Sequence, residues 1–90
     1  MRVRYTLRAR ADLREIFAYL YELSPRGAIK NTVAQIGHER RRGQATDKAD
    51  VRRVPVVRYP YAVYFRVSGD EAHIVHIRHT SRRVPKVGEL

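Results

Sequence analysis

The chain has no cysteine, which excludes a disulfide framework, a thiolate nucleophile and a zinc–thiolate site. The fold must therefore stand on packing or on a partner. No apolar run approaches the ~20 residues that a bilayer-spanning helix needs, and the first residues lack the apolar segment of a signal peptide, so a cytoplasmic location is expected. Acidic residues are scarce: 9 Asp and Glu stand against 19 Lys and Arg. They are scattered, as Asp12, Glu15, Glu22, Glu39, Asp47, Asp50, Asp70, Glu71 and Glu89, and form no metal-ligand cluster; neither a P-loop nor a nucleophile elbow is present. No metal and no cofactor are expected. A chain of 90 residues closes one modest core, so residues 1–90 are read as a single domain with a thin margin of stability.

What is abundant is positive charge. The formal net charge is +10, and every cation except Lys30, Lys48 and Lys86 is arginine. Such a field draws polyanions, whether nucleic acid or an acidic protein segment, and guanidinium forks bind carboxylate or phosphate bidentately. A GC-rich genome also produces Arg-rich chains with no partner involved, so composition alone names none.

The patterning gives an order of elements. Val3, Tyr5 and Leu7 alternate with Arg2, Arg4 and Thr6, which suits a first strand. Leu13, Ile16, Phe17 and Leu20 then fall at i, i+3, i+4 and i+7, with Ala9 and Leu23 extending the stripe and predicting an amphipathic helix. Asp12 and Glu15 near its start are explained by the helix dipole. Ser24-Pro25 ends that helix and starts a second, running to about Arg42 with Ala28, Ile29, Val33 and Ile36 as a narrower apolar stripe and a polar last turn. Gly43 to Asp50 reads as a loop. Val51 to Arg58 reads as a strand in which Pro55 favours an edge or a bulge. Tyr61 to Val67 and Ala72 to His79, joined by a turn at Gly69-Asp70, complete a hairpin. The expected fold is α+β: an N-terminal strand, a helical hairpin, then a three-stranded antiparallel meander (β-α-α-β-β-β), with both helices packed on one face of the sheet.

This order resembles the RelE/ParE superfamily of bacterial toxins, and within it ParE. The resemblance is carried by Tyr5-Thr6, Ala9, Ala11-Asp12-Leu13, Ile16, the break at Ser24-Pro25 with Gly27-Ala28, Gly43, Val51-Arg52, Tyr59, Tyr61, Tyr64, Ile77-Arg78-His79 and Arg82-Arg83. It implies the toxin of a type II toxin–antitoxin pair of the kind that stabilises plasmids. ParE-type toxins inhibit growth by poisoning DNA gyrase through protein contact, and a ParD-like antitoxin with an acidic C-terminal segment neutralises them. On this reading nucleic acid is met only through the antitoxin or gyrase. One departure stands out: the second helix is two to three turns shorter than ParE-like proteins have, roughly 10 residues at ~3.6 per turn. A shorter hairpin covers less of the sheet and predicts dependence on the antitoxin by mass action.

RelE-type members instead cleave mRNA, which requires a base for the 2′-hydroxyl, stabilisation of charge on phosphorus and an acid for the leaving oxygen. In RelE-like sequences an Arg follows the tyrosine matched by Tyr61; here it is Ala62, and where RelE carries two Lys this chain has Arg53 and Pro55. The catalytic set is incomplete, and no enzyme is expected; an endonuclease would have to use Arg53, His79 and Arg82. With Ala72 to His79 as a regular strand, His73 and His79 share a face with Val75 and Ile77, and His76 lies on the other. Tyr59, Tyr61 and Tyr64 have the chemistry for base stacking, but aromatics at strand spacing mostly pack. The cations are left with binding: Arg52, Arg53, Arg58 and Arg66, with Tyr61, toward the antitoxin; Arg78, His79, Arg82 and Arg83 toward the target. A third reading is an inactive antitoxin-binding or nucleic-acid-binding module.

Overall fold

The computed structural model describes residues 2–19, 26–39 and 42–80. The Ser24-Pro25 break and the cluster of Arg82, Arg83 and Lys86 lie outside them. The elements are β1 (Arg2–Tyr5), α1 (Leu7–Tyr19), α2 (Arg26–His38), β2 (Gln44–Ala45), β3 (Val51–Pro55), β4 (Tyr61–Ser68) and β5 (Glu71–His79). One five-stranded sheet in the order β1-β5-β4-β3-β2 carries both helices on its core side. The fold is α+β, as the patterning indicated. β1 runs parallel to β5, and the other pairings are antiparallel.

Thr6 both closes β1 and opens α1. Its N–H donates to the Ile74 carbonyl at 3.0 Å, its Oγ1 accepts from Ala9 N–H at 3.1 Å, and its own carbonyl accepts from Arg10 N–H, which makes it an N-cap. The strand therefore stops at Tyr5, and Leu7 is a first-turn helical residue, 85% exposed, instead of the inward strand residue its alternation suggested. Along α1, Ala9, Asp12 and Ile16 are buried and Leu13 and Phe17 half-buried, the i, i+3, i+4 stripe of a core-facing helix with one carboxylate inside it. On α2 the buried residues are Ile29, Thr32, Val33 and Ile36; the Thr32 hydroxyl donates to the Ala28 carbonyl at 2.9 Å, so its burial leaves no polar group unpaired. The guanidinium of Arg26 lies 4.7 Å from the centroid of the Phe17 ring.

The expected three-strand meander gains a strand. Gln44 and Ala45 pair with Arg53 and Arg52, inside the segment read as loop. Thr46 turns the chain there: its hydroxyl donates to the Val51 carbonyl at 2.8 Å and accepts from Lys48 N–H at 3.2 Å. Two exposed residues carry no periodicity, so the sequence held no sign of β2. Pro55 ends β3 beyond the reach of β2, where its missing N–H costs no ladder bond. Gly43 has φ +86°, and a Cβ there would overlap the Arg53 carbonyl; the chain leaving α2 approaches β3 too closely for a side chain.

β5 is not a regular strand. Tyr64 pairs with His76 but Phe65 pairs with Ile74, which leaves Val75 as an extra residue at a bulge. The buried positions accordingly switch parity, from Ala72 and Ile74 to Ile77. Among the described residues no helix is long and apolar enough to cross a membrane.

Candidate binding surface

Side chains of residues paired across neighbouring strands project from the same side of a sheet, so the register sorts the site. On the core side lie Val54, Val63 and Ile77 in one row and Phe65, Ile74 and Tyr5 in another; burial pushes the Tyr5 phenol pKa up. The opposite side collects the cations. Its rows are Arg2, Glu71 and Ser68; then Arg4, His73, Arg66 and Val51; then His76, Tyr64, Arg53 and Gln44; then Arg78, Ala62 and Pro55. Val51 and Ala62 are buried within this face, while Arg2, Arg4, Arg66 and Arg78 are exposed and Arg53 is half-buried. The result is a basic surface with a Tyr64–His76 pair in its middle, ring centroids 5.8 Å apart.

Only one acidic side chain stands on these rows, and it is already occupied. The Arg4 guanidinium donates to Glu71 Oε2 at 2.9 Å, and His73 Nε2 lies 3.0 Å from Oε1. The Arg4 hydrogen bond, followed by that of His73, holds the Glu71 carboxyl below its usual range. A depressed carboxyl pKa contributes stability that is present above the unfolded value and is lost as pH falls through the folded one. Glu71→Gln is therefore expected to lower the urea midpoint at neutral pH, with the two curves converging under acid conditions; a deficit that stays constant across the titration would contradict the ionic origin. Among the described residues Arg2, Arg53, Arg66 and Arg78 have no ion-pair partner.

At the edge of this surface Asp12 reaches over from α1. Its Oδ2 accepts from Ile77 N–H at 3.0 Å and lies 2.5 Å from His76 Nδ1, and its Oδ1 accepts from Arg8 Nε at 3.3 Å. The dipole explanation for Asp12 is thereby corrected: it is the sixth residue of α1, only 8% exposed, and pairs with the strand bulge. An acid inside an apolar helical stripe was the available signal.

The other sequence-chosen residues scatter. Arg52 faces the core side opposite Phe65 and donates to the carbonyls of Arg42 and Gly43 at 3.1 and 2.6 Å, so its guanidinium ties down the α2–β2 connection. Tyr61 is buried in the core, its ring edge-on to His79 at 5.0 Å. Arg58 is exposed in the β3–β4 turn at φ 69°. The bulge also corrects the histidine grouping: His73 and His76 belong to one face and His79 to the other. Consequently Arg53 and His79, two of the three residues an endonuclease would need, project from opposite faces of the sheet; the third, Arg82, lies outside the described residues. Arg2 and Arg4 were missed as members of the basic face, although their alternation with Val3 and Tyr5 placed them together. Among the described residues no group of three His, Asp or Glu is placed to hold a metal.

Two helices on one face of a mixed sheet, with a basic opposite face, define a small α+β fold, and the family it matches is one of toxins. The family model described as the ParE toxin of the type II toxin–antitoxin system, parDE, matches residues 3–84. The solved structure of a chromosomal ParDE TA system from P. aeruginosa is similar, 28% identical with a TM-score of 0.64 over 88% of this chain and 95% of that one. No curated protein matches. The chain belongs to the ParE toxin family of type II toxin–antitoxin systems.

Proposed function

We propose that this ParE-family chain inhibits DNA gyrase through protein contact, without catalysis of its own, and is neutralised in the cytoplasm by a ParD-like antitoxin with an acidic C-terminal segment. The observation that carries the non-enzymatic part is the separation of Arg53 and His79 onto opposite sheet faces, since acid–base work needs its groups within hydrogen-bond reach of one reacting centre. The ParDE system of the similar structure supports an antitoxin partner. Arg53, Arg58 and Arg66 are assigned to the acidic segment, with Arg52 and Tyr61 acting behind them by fixing the loop and the core. Arg78, His79, Arg82 and Arg83 are assigned to the target.

Inducing the chain in bacteria tests the reading. Filamentation with a DNA-damage response and intact mRNA is expected, with growth restored by the cognate antitoxin. Rapid codon-positioned mRNA cleavage would overturn the proposal in favour of an endonuclease, and normal growth would leave only an antitoxin-binding module.

A further inference from the structure

The basic sheet face has a composition that protein contacts alone do not explain. Its cations are spread over four strands, from Arg53 on β3 through Arg66 on β4 and Arg78 on β5 to Arg2 on β1. With about 4.8 Å between strands and about 6.6 Å between same-face residues along a strand, they cover a patch of about 14 by 20 Å. The apolar residues on it are set flush: Val51 is 7% exposed and Ala62 fully buried, with only Pro55 standing out at the strand end. A bound peptide would find charge there but few places for apolar anchors, which are what give peptide docking its affinity and specificity. Single-stranded nucleic acid is disfavoured for a related reason. It is held by bases stacked on open aromatic rings, whereas the aromatic residue on this face, Tyr64, is half-buried and lies against His76. A ligand presenting regularly spaced anions and asking for no pocket remains.

We infer that this face binds the phosphodiester backbone of duplex DNA through Arg2, Arg53, Arg66 and Arg78. A 20 Å length of duplex carries about twelve phosphates at one per 1.7 Å, enough to supply four contacts on the side turned to the protein. The inference goes beyond the gyrase contact: a toxin acting on a DNA-bound enzyme would hold the DNA as well as the protein, and an acidic antitoxin segment covering Arg53 and Arg66 would displace that DNA.

The test is fluorescence anisotropy of a labelled mixed-sequence duplex with the full chain across a salt series. Four phosphate contacts at about −0.9 each predict a slope of log K against log salt near about −3.6, or about 150-fold weaker binding between about 50 and 200 mM salt. Each of Arg53→Gln, Arg66→Gln and Arg78→Gln should flatten the slope by about 0.9, whereas Arg66→Lys should keep it. Arg10→Gln and Arg14→Gln, exposed on α1, should leave the slope unchanged, and circular dichroism of every variant should match the parent. Equal flattening by the α1 variants would overturn the inference by showing a diffuse net-charge effect. Tighter binding of single-stranded RNA at matched salt would overturn it in favour of that ligand. No gyrase is present in this assay, so its failure leaves the gyrase reading standing, and failure of gyrase inhibition leaves a DNA-binding result intact.

Discussion

Asp12→Ala is expected to destabilise the domain by about 2–4 kcal/mol, because it removes the acceptor of a buried backbone N–H together with the partner of His76. The reason lies in how β5 is bordered. β1 accompanies it only as far as Tyr5 opposite Ile74, and beyond that point side chains of the β1–α1 segment take the place of a strand. The Thr6 hydroxyl donates to the Val75 carbonyl at 3.3 Å, and the Asp12 carboxylate accepts from Ile77 N–H. Val75, the extra residue of the bulge, carries one of these groups and lies two residues from the other, so the bulge and the helix tie depend on one another. Without the carboxylate, Ile77 N–H has no acceptor in a site where Ile77 is 3% exposed. For a domain of this size each kcal/mol moves Tm by about 4–8 °C, so thermal unfolding followed by circular dichroism reads the effect easily. Asp12→Asn keeps one oxygen for Ile77 and should cost less, about 1–2 kcal/mol. His76→Ala leaves Asp12 bonded to Ile77 N–H and Arg8 and should cost less than Asp12→Ala. A loss below about 0.5 kcal/mol for Asp12→Ala, the range of ordinary surface changes, would show that the helix-to-bulge tie does not hold the edge.

That dependence also marks where the sequence stopped being legible. The helices and the long strands announced themselves by period: Leu13, Ile16 and Phe17 on α1, Ile29, Val33 and Ile36 on α2, and Tyr61, Val63 and Phe65 on β4 all lie on the core side as their spacing indicated. Pairing is a different kind of information. Nothing in Arg2–Tyr5 says that its neighbour is the last strand and runs parallel, because that depends on the path of two helices between them. The bulge mattered most for the site. A regular β5 groups His73 with His79, and one inserted residue regroups His73 with His76, which leaves His79 on the face opposite Arg53. Arg52 shows the converse limit: as a letter it equals Arg53, yet one guanidinium caps two loop carbonyls while its neighbour stands on the basic face. Alternation places adjacent residues on opposite sides, but which side is occupied by a loop is a tertiary fact.

Phe65→Ala is expected to be the most damaging single change, at about 3–5 kcal/mol. Phe65 heads the largest fully buried side chains and is paired on one side with Arg52 and on the other with Ile74, so it joins the middle of the sheet to the helical layer. Its removal takes away the transfer energy of the ring and leaves a cavity that the bulge beside it, fixed by Asp12, has little freedom to fill. Domains of this kind have only about 5–15 kcal/mol in all, and a core of 90 residues belongs toward the low end. The variant should therefore unfold at a much lower urea concentration, or be unfolded in water, while Phe65→Leu, which retains most of the volume, should cost about 1.5 kcal/mol or less. A loss below about 1 kcal/mol for the alanine variant would mean that the sheet and helices are joined elsewhere. On the proposed function the same variant has a second readout. An antitoxin that binds only the folded toxin stabilises it by mass action, so Phe65→Ala should accumulate as soluble protein when its antitoxin is co-expressed and be lost when it is not. The basic-face variants Arg53→Gln and Arg66→Gln should show no such rescue, because their exposed or half-exposed side chains contribute little to the core.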